Sequence, residues 1–192
     1  MLVAAAAAVP TAVFAHPGVA DVHDLVHGFM HPIGGIDHVL AMVAVGVIAA
    51  QLGGRALWAV PTSFVAAMAI AAAVGMLGLA LPGLEAGIAL SLIVLGAVIS
   101  LRVKLPVVLA AATVAAFAVF HGYSHGLEMG DARSGVVFGV GFVSATALLH
   151  LMGIGLGLTV ARIASPRSER LAQATGGALA LAGAVLLAGG LA

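Results

Sequence analysis

The sequence predicts an all-α, polytopic membrane protein: six transmembrane helices behind a cleaved signal peptide, with both mature termini outside. Three observations lead there. First, 63% of the 192 residues are hydrophobic and 7% are Asp, Glu, Lys or Arg, against about 25% charged in an ordinary soluble domain. Mean hydropathy is +1.25; a soluble chain with so few polar groups could not cover its surface, so the bilayer is the solvent that suits it. Second, apolar runs of spanning length recur between short breaks. Third, the basic residues fall almost all on one side of those runs.

The elements follow in chain order. Residues 1–15 (MLVAAAAAVPTAVFA) are apolar, too short to span, and end with Val13 and Ala15 at the −3 and −1 positions of a secretory cleavage site. They read as a signal peptide without a basic n-region. Residues 16–31 form an outer segment rich in His and Asp, and residues 32–192 form the membrane domain. Spans are expected at Pro32–Leu52, Ala56–Leu81, Glu85–Leu101, Pro106–His125, Gly135–Val160 and Leu171–Leu191. Small-residue patterns such as Gly135-x3-Gly139 suit close helix approach in lipid.

Arg55, Arg102, Lys104, Arg162, Arg167 and Arg170 follow the first, third and fifth spans, while Glu85, Glu128, Asp131 and Arg133 occupy the opposite loops. By the positive-inside rule the first set is cytoplasmic, which places the mature N-terminus outside, as signal cleavage requires. The membrane is then a bacterial inner membrane. Net charge is zero, so nothing points to nucleic acid, and the absence of cysteine excludes disulfides, thiolate zinc sites and iron–sulfur clusters.

Against this background stand eight histidines, and seven of them map to the outer half: His16, His23, His27, His31, His38, His121 and His125. The first cluster, His31-Pro-Ile-Gly-Gly-Ile-Asp37-His38, opens the first span. Pro32 is expected to push His31 out of helical geometry and to start the helix. Asp37 either ligates or orients a histidine, and a carboxylate at membrane depth marks function. The second cluster, His121-Gly-Tyr-Ser-His125-Gly-Leu-Glu128, sets two imidazoles one helical turn apart with a carboxylate three residues on. Its glycines are read as keeping that face open. Imidazole plus carboxylate without thiolate suits Ni²⁺, Co²⁺, Zn²⁺ or Cu²⁺. His150 alone lies deep, about 15 residues or roughly 22 Å into the fifth span. With Thr146 and Met42 it reads either as a second station on an inward path or as a neutral histidine bracing helix packing, with Met42 as packing. His16, His23 and His27 read either as an outer capture surface or as a solvated polar segment.

At this point the residues resemble the HupE/UreJ family of nickel permeases. His31-Pro-x2-Gly-x-Asp37-His38-x-Leu-Ala-Met42 is similar to its first signature and Phe120-His121-Gly-x2-His125-Gly-x-Glu128 to its second, and Ala145-Thr146-x3-His150-x2-Gly153 also fits. Tyr123 and Ser124 depart from the residues usual in the second motif. The resemblance implies uptake of Ni²⁺, or Co²⁺, for hydrogenase or urease maturation, with His31, Asp37, His38, His121, His125 and Glu128 as motif residues. The chain carries no Walker motif and has little room for a soluble domain, so the expected activity is secondary transport and not an enzymatic one. An intramembrane zinc hydrolase using the same cluster is the alternative; a haem bundle with two axial histidines fits less well beside so many carboxylates. The ligand-bearing spans are the first of each half, which suits an inverted repeat.

Overall fold

The computed structural model describes residues 17–129 and 135–190. The signal peptide expected over residues 1–15, His16, Asp131 and Arg133 lie outside the described residues, as does the side chain of His23. Seven α-helices make up the described chain: α1 (Pro17–Gly34), α2 (Ile36–Leu52), α3 (Ala56–Gly75), α4 (Leu84–Ser100), α5 (Val107–Met129), α6 (Gly135–Ile163) and α7 (Pro166–Gly190). Helices α3, α5, α6 and α7 are each long and apolar enough to cross a membrane. The pair from Asp24 to Leu52, bent by 84° at Gly35, counts as a fifth span if its two arms are one crossing; α4 is apolar but has 17 residues.

Several boundaries differ from the sequence expectation: α5 runs on past His125 to Met129 and α6 past Val160 to Ile163, and three others differ for a local reason. Pro32 lies inside α1, and His31 is helical. A proline so close to a C-terminus costs the helix only one hydrogen bond, and the chain breaks instead at Gly35, which is extended at φ −99° and ψ 115°. The carbonyl of Gly35 then accepts the first bond of α2, from Val39 N–H at 3.0 Å. The second span ends at Gly75 rather than Leu81, because Met76, Leu77 and Gly78 close tight turns onto the last carbonyls and Gly78 is left-handed at φ +70°. Helix α7 begins five residues early. Ser165 and Ser168 exchange backbone-to-hydroxyl bonds of 3.1 Å, a reciprocal cap, and Pro166 occupies the first helical position.

The helices pack closely as α3 on α5, α4 on α7, and α6 on both α2 and α1. Glycines make this possible. A Cβ on Gly122 or Gly126 would strike the Met68 or Ala72 carbonyl of α3, and one on Gly46 would strike the His150 carbonyl of α6. The glycines flanking His121 and His125 therefore seat α5 against α3 instead of holding a ligand face open. Between α3 and α6 the fit is looser, with cavities of about 410 and 450 Å³ along the seam.

Candidate metal centre

The bend at Gly35 folds α1 back so that His31 and His38, seven residues apart, both meet α5. His31 and His125 have ring centres 4.8 Å apart, His125 and His38 4.3 Å, and His38 and His121 4.7 Å. Four imidazoles from three helices thus form a continuous file. His31 lies at the partly exposed end; His38, His121 and His125 are buried.

The carboxylates sit at defined places along the file. The His31 Nε2–H donates to Glu128 Oε2 at 2.6 Å. His125 Nδ1 lies 3.5 Å from the same oxygen, an electrostatic neighbour too poorly aligned to hydrogen-bond. One ligand atom from each of His31, His125 and Glu128 falls within 4.8 Å of the others, a grouping that could hold a metal ion. Asp37 Oδ1 accepts both the backbone N–H of His38 (2.9 Å) and its ring Nδ1–H (3.0 Å). That pairing leaves His38 Nε2 with the lone pair, and this atom is buried without a partner. Asp37 thus orients an imidazole in the way carboxylates support metal-binding histidines.

His121 is fully buried, with Nε2 2.9 Å from the Ser91 hydroxyl of α4 and Nδ1 unpartnered. Both nitrogens of His125 and both of His150 are also buried without hydrogen-bond partners. Buried polar atoms normally find partners. These imidazole nitrogens, buried without hydrogen-bond partners among the described residues, could accept a ligand. Their chemistry suits a divalent cation that accepts nitrogen and carboxylate oxygen.

His150 stands apart from the file. The Phe64 ring lies between, 5.9 Å from His121 and 5.2 Å from His150, and Phe142 backs His125 at 4.5 Å. Thr146 donates to the Phe142 carbonyl at 3.0 Å and touches the Met68 sulfur at 3.9 Å, so its hydroxyl is engaged within the bundle. Met42 belongs to the apolar core with Val45, Phe64 and Met68. His27 is exposed on α1. Spacing and composition did not point to Ser91, Phe64 or Phe142; of these only Ser91, a polar residue in an apolar run, carries a sequence signal.

The HupE / UreJ protein profile matches residues 3–186. The chain belongs to the HupE/UreJ family. It is also 44% identical to Protein HupE of Rhizobium leguminosarum bv. viciae over 190 residues, 96% of this chain and 95% of that protein. No solved structure matches it. Membership agrees with a membrane protein of several candidate spans, and this HupE/UreJ chain carries a His/Glu cluster on α1 and α5.

Proposed function

We propose that this HupE/UreJ protein is a secondary permease that takes up Ni²⁺, with Co²⁺ as a second substrate and Zn²⁺ a poorer one, across a bacterial inner membrane. The observation that carries the reading is the file of four imidazoles flanked by Glu128 and Asp37, several of its nitrogens unpartnered. Ni²⁺ arriving hydrated exchanges water for His31, His125 and Glu128 at the partly exposed end. It then passes to His38 and His121, and inward past Phe64 to His150, with Thr146 and Met42 beside that second station. A cavity of about 450 Å³ lined by Trp58, Pro61, Ala147 and His150 offers an exit from it. His16, His23 and His27 are proposed to capture the ion before it reaches the file.

The proposed topology has six crossings, α4 being the short one, both mature ends outside, and residues 1–15 removed as a signal peptide. An inside-negative potential contributes about 2.3 kcal/mol per charge per 100 mV, and so about twice that for a divalent ion. That suffices to drive accumulation without ATP. The delivered metal would serve hydrogenase or urease maturation. The test is radioactive nickel uptake by cells lacking their own nickel transporter and expressing this chain or His125→Ala, with Co²⁺ and Zn²⁺ as competitors. Uptake that needs His125 and is competed by excess Co²⁺ supports the reading. No uptake from folded, membrane-inserted protein refutes it.

A further inference from the structure

The Ser91 hydroxyl stands between two partners, and it has one hydrogen. Its oxygen lies 2.6 Å from the carbonyl of Ile88, one turn back on α4, and 2.9 Å from Nε2 of His121 on α5. Two oxygens at 2.6 Å need a proton between them, and the Ile88 carbonyl has none to give. The Ser91 hydrogen is therefore committed to Ile88. The contact with His121 needs its own hydrogen, which only the ring can supply. Ser91 and His121 are both fully buried, so water does not compete for either bond.

We infer that Ser91 is a positioning residue that fixes His121 as the Nε2–H tautomer and leaves Nδ1 as its metal-accepting nitrogen. The metal consequence rests on the proposed permease reading; the tautomer does not. Nδ1 is the atom of His121 that is buried without a partner, and the His38 ring lies 4.7 Å away, centre to centre. Asp37 and Ser91 then act as a pair on neighbouring rings. Asp37 takes the Nδ1–H of His38 and frees its Nε2; Ser91 takes the Nε2–H of His121 and frees its Nδ1. One support is charged and the other neutral, so the deeper imidazole is oriented without adding a second buried carboxylate, which would cost far more at that depth. A neutral support also holds the ion less tightly, which suits a station that must release its cargo.

The test uses the full chain in lipid, stripped of metal with a chelator and labelled with ¹⁵N-histidine, His121 being assigned by its loss in His121→Gln. The expected ¹⁵N spectrum shows His121 protonated at Nε2 and not at Nδ1. In Ser91→Ala that single tautomer is lost, and apparent nickel affinity falls about tenfold, the scale seen when the partner of a ligating histidine is removed. Ser91→Thr restores both. A wild-type ring protonated at Nδ1 overturns the assignment. So does Ser91→Ala with the tautomer unchanged, whatever happens to uptake. The wild-type spectrum decides even if both variants misfold. Absence of nickel uptake with the Nε2–H tautomer present refutes the permease and leaves the Ser91 assignment standing.

Discussion

Replacing Gly122 by Ala adds one methyl group at one of the two tightest points between α3 and α5, where the backbone sets its effect. The new Cβ would lie 2.8 Å from both the Cα and the carbonyl carbon of Met68, with the carbonyl oxygen nearer still. No flexible side chain is available to yield, since every atom met is backbone. Carbon–carbon contact becomes comfortable near 3.5 Å, so α5 must withdraw by about 1 Å along this line. Overpacking of that kind costs about 1–3 kcal/mol. In a membrane no hydrophobic force between the helices compensates it.

The same withdrawal carries with it His121, the residue just before Gly122 on α5, and His125, about one turn after it. These rings stand 4.7 and 4.3 Å from His38, which is held by α2 and does not follow. A binding site tolerates errors of about 0.5 Å in its groups, so nickel affinity should fall about tenfold or more. The assay pairs thermal denaturation in detergent with a nickel-binding isotherm. Gly139→Ala is the control, because a Cβ there meets nothing within 4 Å, and a helical Gly→Ala change in open space favours the helix by up to about 1 kcal/mol. Gly122→Ala behaving like Gly139→Ala in both measurements would refute the argument that backbone contact between α3 and α5 sets the site.

Three further outcomes are expected. Glu128→Gln keeps the volume of a side chain that is 55% exposed and should leave the melting temperature alone while weakening nickel binding about tenfold, read by isothermal titration; unchanged binding would remove Glu128 from the ligand set. His150→Ala should leave nickel binding at the outer file intact but cut uptake, and loss of binding as well would show that Phe64 does not separate the two stations. Tyr123→Phe removes the bond from its hydroxyl to the Leu79 carbonyl. It should cost about 0.5–1.5 kcal/mol of thermal stability, with nickel uptake preserved, because that bond ties down the turn after α3 and touches no imidazole.

Much of the site could be read along the chain because each half of it is local. His121, His125 and Glu128 share a helix face by spacing alone, and Asp37 next to His38 is a pair of neighbours. What the spacing could not give is the relation between helices. That Ser91 meets His121 depends on how α4 and α5 rotate against each other, and one serine in an apolar run does not encode that rotation. The glycines beside His121 and His125 look the same in sequence whether they open a face or admit a neighbouring backbone. Pro32 misled for a similar reason: its effect on His31 depends on how many hydrogen bonds remain beyond it, and only two residues of α1 do. The turns that end α3 and the serine cap of α7 were short-range signals within apolar surroundings, where hydropathy alone extends or trims a span.

The packing also says which contacts have to change if an ion is to pass. Exchanging the group α2, α3, α4 with α5, α6, α7 turns the close pair α2–α6 into α5–α3 and returns α4–α7 to itself, the relation an inverted repeat would produce. The imidazole file lies where two of these pairs meet: His38 is carried by α2, packed on α6, and His121 and His125 by α5, packed on α3. Glycine contacts lock each pair internally, Gly46 and Gly153 in one, Gly122 and Gly126 in the other. Between α3 and α6 lie instead the two cavities. Motion of one pair against the other would therefore open the file, with α3 and α6 as the seam that changes width. The chain has no cysteine, so Ala73→Cys and Val140→Cys, both lining the 410 Å³ cavity, give a clean pair for a thiol cross-linker. Bridging them should stop nickel uptake and leave binding to His31, His125 and Glu128 intact, with reductive cleavage of the bridge restoring transport. Full uptake by the bridged protein would mean that the ion passes through a static bundle, and the cavities would then be packing defects rather than room for movement.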